Sequence, residues 1–204
     1  MTRTPVPEPA ALATLAEAVA REAAALVREH AAAGVSVAAT KTSDVDVVTA
    51  ADQAAEELIR TRILAQRPDD ALLGEEGDDV SGTSGVRWIV DPIDGTVNFL
   101  YGLSGYAVSI AAEVEGEVVA GVVLDVPADV VYAAHLDPAA GRHGGVATRD
   151  GQPIVVRPPA PMSQRLLATG FSYRREVRAI QAAAVARLLP EVRDIRRAGS
   201  CALD

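Results

Sequence analysis

The stretch "WIVDPIDGTVNF", residues 88–99, contains two aspartates, Asp91 and Asp94, that stand three residues apart across a proline. It begins with a β-branched, apolar run that stops abruptly at Asp91, so Asp91 is predicted to lie at a strand end. The proline restrains the backbone between the two carboxylates. Asp94 is predicted as a helix N-cap, where Gly95 and Thr96 would offer free backbone N–H groups to an anion. The stretch is either an ordinary turn, for which Asp-Pro and Asp-Gly are typical, or a site for a metal ion and a phosphate.

Helical patterns precede this stretch. Apolar residues recur at helical spacing over residues 8–33, which predicts an Ala-rich amphipathic helix. A second helix is predicted to open at Thr49 or Ala50 and to run to about Arg67, because the proline at position 68 cannot continue it. A short apolar run then leads into "GEE", residues 74–76. Two helices are therefore expected before the first long strand.

Strand patterns dominate the residues that follow. Apolar runs on either side of Glu115-Gly116 and Asp150-Gly151 predict two hairpins that turn at those dipeptides. The sequence "DVVYAAHL" between them fits a further antiparallel strand. The middle of the chain is therefore predicted to form an antiparallel sheet.

Three prolines, at positions 158, 159 and 161, indicate a boundary between two parts of the chain. Residues 1–157 are predicted to form a helix pair and an antiparallel sheet that carries the site. Residues 158–204 are predicted to begin a C-terminal α/β half, with short strands in "RLLATGF" and "VRDIRR" around a helix over 174–189, and a helix start in "AGSCALD". Strands beside helices favour a layered α/β or α+β class. A helix start cut off after a few residues is not typical of a domain end, so this half is expected to be truncated.

The composition bounds the class of protein. The chain has 204 residues, of which 49% are apolar, enough for a substantial core. Its net charge of −9 argues against nucleic-acid binding, which needs a basic surface. Cys201 is the single cysteine, so no internal disulfide can form. Charged residues interrupt the N-terminal apolar runs, and none reaches the roughly 20 residues of a membrane span. We therefore expect a soluble, cytoplasmic protein without a membrane partner.

Two further acidic elements accompany residues 88–99. "GEE" ends an apolar run, although two glutamates alone are more typical of a charged loop. Asp52 ends "KTSDVDVVTAAD", where alone it is typical of a first-turn helix carboxylate. Carboxylates beside an anion site require a cation, and Mg²⁺ prefers oxygen ligands. The ordered set K-x-S-x-x-D-x-V-T-A-x-D, GEE and W-I-V-D-P-I-D-G-T-x-N-F resembles the inositol monophosphatase family of Mg²⁺-dependent phosphatases.

The resemblance covers residues 10–204 and is greatest to the bacterial inositol-1-monophosphatases. It implies a layered α-β-α-β-α sandwich of the sugar-phosphatase type, with the C-terminal part incomplete, and a site for Mg²⁺. In that site Glu75 would bind metal and orient the attacking water, and Asp91 would bridge two metals. The main-chain carbonyl of Ile93 would complete the first metal's shell, and Asp94 would bind the second metal.

The same resemblance implies residues for catalysis and substrate binding. Gly95 and Thr96 would hold the phosphate, with Asp94 beside them. Thr96 would pair with Asp52 to help activate water, so that Glu75, Thr96 and Asp52 are the expected catalytic residues. The residues expected against the polyol ring of the substrate are Gly199, Ser200 and Cys201. A small buried packing role fits Cys201 equally well.

The implied function is Mg²⁺-dependent hydrolysis of inositol monophosphate to inositol and phosphate by a metal-activated water. The same mechanism on histidinol phosphate, a sugar bisphosphate or a 3′-phosphoadenosine nucleotide stays open. Family members continue past the position of Asp204 to a Trp-Asp dipeptide that supplies another metal ligand, whereas the only tryptophan here is Trp88. A fragment that binds only cations or a protein partner therefore also stays open. A small phosphorylated polyol is the expected partner, and a homodimer is compatible with the family.

Overall fold

Two packed helices form one layer of the protein. The computed structural model describes residues 8–35, 37–40, 47–77, 79–140 and 144–204. Helices α1 (Pro9–Ala33) and α2 (Ala50–Gln66) contact each other along their length. Small side chains allow this close approach. The buried residues of α1 are Leu12, Ala13, Ala16, Val19, Ala20, Ala23, Ala24 and Val27.

The start of α2 is fixed by a capping box. A two-stranded antiparallel sheet, β1 (Val37–Thr40) with β2 (Val47–Thr49), leads directly into the helix. The backbone N–H of Thr49 donates to Asp52 at 2.8 Å, and the Thr49 hydroxyl accepts from the backbone N–H of Asp52 at 3.4 Å. This reciprocal pair satisfies N–H groups that a helix start leaves without partners. The predicted bounds of both helices are confirmed.

A seven-stranded sheet forms the second layer, and its strand order follows the chain. Only the first pair is parallel; every later pair is antiparallel. Helix α1 packs on the middle of the sheet and α2 on its second strand. The strands are β3 (Ala71–Leu73), β4 (Val86–Asp94), β5 (Ala107–Val114), β6 (Glu117–Asp125), β7 (Val130–Leu136), β8 (Gly145–Arg149) and β9 (Gln152–Pro153), with the short helix α3 (Thr96–Leu100) after β4.

The core lies between the helix layer and the sheet. Side chains alternate between the two faces of a strand, so every second residue of the central strands faces the helices. These alternating buried residues are Val86, Trp88 and Val90 on β4, Val108, Ile110 and Ala112 on β5, and Ala120, Val122 and Leu124 on β6. The alternation of side chains that is expected of strands with one buried face is therefore present in β4, β5 and β6.

Both predicted hairpins are confirmed. At the first turn Glu115 and Gly116 have φ values of 53° and 84°, and at the second Asp150 and Gly151 have φ values of 49° and 73°. Two-residue hairpin turns of this kind need positive φ at both central positions, because their twist then matches that of the strands. The second hairpin is short, since β9 contains only Gln152 and Pro153.

A second, smaller unit follows the proline-rich segment. Strand β10 (Leu166–Ala168) pairs in parallel with β11 (Asp194–Arg196), and helix α4 (Arg175–Leu188) lies between them in the chain. Short 3₁₀ turns occur at Pro138–Ala140 and Met162–Gln164. The predicted mixed α/β class, a sheet flanked by helices, is confirmed. The division between residues 157 and 158 stays a prediction.

Two details of the sequence prediction are wrong. Strand β4 does not end at Asp91 but continues to Asp94, and the N-cap of α3 is Gly95. "AGSCALD" does not begin a helix, because residues 201–203 form a turn in which the backbone N–H of Ala202 donates to Asp94 at 2.7 Å. Both differences arise where distant parts of the chain meet at Asp94.

Within the described ranges, none of the helices has the length and apolar character needed to cross a membrane.

Asp70→Asn should destabilise the protein by about 2 kcal/mol, because hydrogen bonds to a charged group are worth roughly that much. Asp70 is buried and accepts from Arg67 at 2.8 Å, Ser84 at 2.5 Å and the indole N–H of Trp88 at 2.8 Å. An amide in its place must turn its NH₂ group toward one of these donors. Urea unfolding measures the change, and an unchanged midpoint would contradict it.

Candidate active site

A polar pocket opens where β4, the loop after β3 and the loops after β10 and β11 meet. Its volume is about 250 Å³. It brings together eight of the ten residues predicted for the site, namely Glu75, Asp91, Ile93, Asp94, Gly95, Thr96, Gly199 and Cys201. The other two, Asp52 and Ser200, are buried behind the pocket and reach it through hydrogen bonds. The motif residues Lys41, Ser43 and Asp46 lie outside the described residues.

A β-bulge turns both aspartates toward this pocket. Asp91 pairs with Ser109 of β5 and Asp94 with Ala107, so three steps along β4 match two steps along β5. In a regular strand, residues three apart point to opposite faces. The extra residue resets this alternation, as bulges commonly do beside functional sites. The two carboxylates can therefore line one pocket although their spacing is odd.

Glu75 and Asp91 form an acid pair in the pocket, in which Asp91 is half-buried and Glu75 is exposed. Their side chains are hydrogen-bonded, and Asp91 also accepts from the backbone N–H of Ile93 at 3.2 Å. Desolvation, the charge and hydrogen bond of Glu75 and the charge of Asp94 together raise the pKa of Asp91 to about 9. Two carboxylates this close cannot both be ionised without a cation or a proton between them.

Asp94 is held by residues from the far end of the chain. Its Oδ2 atom accepts from the Ser200 hydroxyl at 2.5 Å and from the backbone N–H of Ala202 at 2.7 Å. Ser200 is fully buried, so it acts on the pocket through Asp94. The predicted contact of Ser200 with a polyol ring stays a prediction. Cys201 is exposed and lines the pocket, which places it at the mouth and not among buried packing residues.

Thr96 connects the pocket to α2. Its hydroxyl lies 3.0 Å from the carbonyl of Ile93 and 3.3 Å from Oδ1 of Asp52, and one hydroxyl proton can serve only one of these acceptors at a time. Burial raises the pKa of Asp52, while hydrogen bonds from Thr49 and Thr96 oppose this rise. Asp52 is thus both the capping residue of α2 and the partner of Thr96.

The acid pair fits one divalent cation. Glu75 and Asp91 would supply two carboxylates, and Ile93, whose carbonyl is the third predicted ligand, lines the same pocket. Mg²⁺ is usually bound through one or two carboxylates with water completing the shell. Among the residues that the structure describes, no group of three or more His, Cys, Asp and Glu side chains could enclose a metal. The second-metal role of Asp94 stays a prediction, since one of its oxygens is already engaged twice.

Several pocket residues were not identified from the sequence. Arg197 and Tyr173 line the pocket, with Gly170, Phe171 and Asp204. They follow the carboxyl ends of β10 and β11, and parallel strands gather such ends at one edge of a sheet. That rule could have placed "TGFSY" and "RRAGS" together if the parallel pairing had been predicted.

Mg²⁺ binding should release about one proton per ion near neutral pH. Because the pKa of Asp91 is raised to about 9, the metal-free protein keeps a proton on this side chain that a bound metal would displace. The apparent Mg²⁺ affinity should therefore increase as the pH rises toward that value. Calorimetric titration in buffers of different ionisation enthalpy counts the protons. Equal binding heats in all buffers would argue against the protonated pair.

Several known proteins are similar to this chain in sequence. The inositol-1-monophosphatase SuhB of Mycobacterium tuberculosis is 44% identical over the whole of this chain, which spans 74% of that relative's length. The histidinol-phosphatase of Chlorobaculum parvum is 45% identical over 53% of this chain and 39% of its own. The Nus factor SuhB of Escherichia coli is 32% identical over 93% of this chain and 69% of its own.

Solved structures match over nearly all of the chain. The suhB protein of Bartonella henselae superposes with a TM-score of 0.85 at 30% identity, over 95% of this chain and 72% of its own. The inositol monophosphate-bound structure of SaIMPase-II gives a TM-score of 0.72 at 29% identity, over 95% of this chain and 67% of its own. A sequence model of the inositol monophosphatase family matches residues 8–204. The chain therefore belongs to the inositol monophosphatase family, whose named relatives include phosphatases.

Proposed function

We propose that this chain is a Mg²⁺-dependent phosphomonoesterase that hydrolyses inositol monophosphate to inositol and phosphate. The observation that carries the proposal is the hydrogen-bonded acid pair of Glu75 and Asp91 in a pocket that also contains Gly95 and Thr96. A protein gains nothing in stability from holding two carboxylates together, so the pair favours a site for a cation. Family membership supports the same conclusion, because the family is generally metal-dependent.

Each residue of the pocket has a chemical task in this proposal. Glu75, Asp91 and the carbonyl of Ile93 would hold Mg²⁺, which when bound makes a water more acidic and neutralises charge on the phosphate. Glu75 would orient the attacking water. Thr96 would accept a proton from that water as it passes its own to Asp52, whose raised pKa suits it to receive one. Gly95 would let the phosphate approach the backbone, since it has no side chain.

The substrate class rests on a small polar pocket and on the relatives. A pocket of about 250 Å³ suits a small phosphorylated molecule better than a nucleic acid, and the chain's charge of −9 agrees. The relative from M. tuberculosis is named for inositol 1-monophosphate, and SaIMPase-II binds inositol monophosphate. Gly199, Cys201 and Arg197 would face the part of the substrate that is not phosphate.

Phosphate release tests the proposal. The purified chain should release phosphate from inositol monophosphate when Mg²⁺ is present, and this release should stop when EDTA is added. Histidinol phosphate, a sugar bisphosphate and a 3′-phosphoadenosine nucleotide are compared at equal concentration, because one relative is named as a histidinol-phosphatase. A higher kcat/KM for any of these would overturn the assignment to inositol monophosphate and keep the mechanism.

A binding role without turnover is the second candidate. It is favoured by the finding that no three acidic, His or Cys side chains of the described residues could enclose a metal. Calorimetric titration with Mg²⁺ beside the phosphate assay separates the two candidates. Mg²⁺ binding without phosphate release from any of the four substrates would favour binding alone.

A further inference from the structure

A buried glutamate on α2 holds the loop that carries Glu75. Glu56 is only 3% exposed and lies one helical turn after Asp52. Its Oε2 atom accepts from the backbone N–H of Glu75 at 2.9 Å and of Glu76 at 2.7 Å, and its Oε1 atom accepts from that of Gly77 at 2.8 Å. Three successive backbone donors therefore converge on one carboxylate.

The surroundings leave this carboxylate little room to move. Arg60 donates to Oε1 of Glu56 at 3.1 Å from the next turn of the helix. A Cβ atom added at Gly77 would lie 2.6 Å from Oε1, and one added at Gly74 would overlap the same carboxylate. Neither glycine has a positive φ, so the absence of a side chain serves the close approach and not the backbone conformation. The loop and Glu56 thus fit each other closely.

The position of the contact links it to the acid pair. The loop bonded to Glu56 begins with Glu75, whose side chain meets Asp91. Asp52 and Glu56 are four residues apart and share a face of α2, so one helix positions Thr96 through Asp52 and Glu75 through Glu56. The bond from Glu56 to the backbone N–H of Glu75 therefore fixes the point from which the Glu75 side chain reaches Asp91.

We propose that Glu56 is a positioning residue that holds the backbone at Glu75 and so prepares the acid pair for a divalent cation. The proposal rests on the proposed function, because it assigns Glu56 to the metal site of that reaction. Glu56 does not touch substrate or metal in this assignment; it acts through three backbone hydrogen bonds. Residues that orient metal ligands in this way commonly change metal affinity by about 10- to 100-fold when they are replaced.

The test uses Glu56→Gln and Gly77→Ala. The first puts an NH₂ group against the loop's N–H donors, and the second displaces Glu56 without changing it. Both should weaken the Mg²⁺ Kd from calorimetry by about tenfold or more. In metal-free protein both should speed amide hydrogen exchange at residues 75–77. Circular dichroism is used to choose a temperature at which each variant is folded, and Gly77→Ala serves if Glu56→Gln does not fold.

Two control variants separate positioning from general destabilisation. Glu57→Gln changes a neighbouring glutamate that is 72% exposed, and Asp70→Asn weakens the fold away from the acid pair. Both should keep the wild-type Mg²⁺ Kd. The proposal would be overturned if Glu56→Gln and Gly77→Ala kept a Mg²⁺ Kd and amide exchange rates within about twofold of wild type. Replacing a residue that orients a metal ligand usually changes metal affinity by more than this. The proposal would also be overturned if Asp70→Asn weakened Mg²⁺ binding as much as Glu56→Gln and Gly77→Ala do.

The proposed function can fail separately. Wild-type chain that binds Mg²⁺ but releases no phosphate overturns the phosphatase proposal and leaves the Kd comparison valid. If wild-type chain does not bind Mg²⁺, hydrogen exchange at residues 75–77 still decides whether Glu56 holds the loop.

Discussion

Asp91→Asn should abolish phosphate release and at the same time stabilise the metal-free protein. The substitution removes one of the two carboxylates of the acid pair, so the Mg²⁺ Kd should weaken strongly. Metal ions supply several kcal/mol of transition-state stabilisation, which corresponds to a loss of about a thousandfold in kcat/KM. Most substitutions in a site of this kind lower activity; few are expected to raise stability as well.

The gain in stability follows from the pKa of Asp91. Its folded-state pKa is about 9, whereas the unfolded chain has the ordinary value of 3.8. The folded state therefore binds the proton more tightly. Its stabilising contribution is complete below the unfolded pKa and is lost progressively as the pH rises toward the folded pKa. Asparagine cannot ionise, so the advantage of Asp91→Asn in metal-free protein should grow from acid to alkaline pH.

Thermal unfolding in EDTA across this pH range measures the effect. Each kcal/mol should move Tm by about 3 °C in a chain of this size. Glu117→Gln is the matched control, because it also removes one carboxylate but lies exposed at the start of β6. It should leave activity and the pH dependence of Tm unchanged. A variant Asp91→Asn that keeps its activity, or that loses Tm at alkaline pH, would contradict the role of the pair.

The sequence predicts the elements around the site better than the site's geometry. The two hairpin turns and the ends of α1 and α2 follow from local backbone preferences, and these were predicted correctly. The bulge in β4 depends on pairing with β5, which adds Ser109 and Ala107 as partners from a later strand. One local signal was available: a proline inside a central strand cannot donate to the sheet and is typical of a bulge. Pro92 could therefore have predicted the continuation of β4 to Asp94.

Long-range contacts account for the rest. Ser200 and Ala202 bind Asp94 across more than a hundred residues, and no local pattern announces such a bond. The same holds for Glu56, which resembles any other glutamate on a charged helix. Its role follows only from the approach of a loop that contains glycines at positions 74 and 77. Motif residues are thus predictable from sequence, whereas the residues that orient them require the fold.

Gly95→Ala should unfold the site at a cost of about 4 kcal/mol, because two separate penalties add at one position. Gly95 has φ of 99°, a conformation that side chains rarely adopt. A Cβ atom there would also lie 2.8 Å from the carbonyl oxygen of Gly105 and 3.2 Å from that of Gly199. Both neighbours are backbone atoms, so they cannot rotate away. Asn98 holds the same loops through bonds of 2.8 Å to the carbonyls of Gly105 and Ala198.

The matched control for Gly95→Ala is Gly116→Ala. Gly116 has a similar φ of 84°, but no atom lies within 4 Å of its added Cβ. It should lose only about 1 kcal/mol, the cost of a left-handed conformation alone. Urea unfolding gives the free energy of unfolding of both variants. If its dependence on urea concentration is the same in both, the difference between them is the contribution of the close contact with the two carbonyl oxygens. Because Gly199 leads into Ser200, which binds Asp94, Gly95→Ala should also weaken Mg²⁺ binding, whereas Gly116→Ala should not. Equal losses of stability in the two variants would mean that backbone conformation, and not the meeting of three loops at Gly95, sets the demand for glycine in this motif.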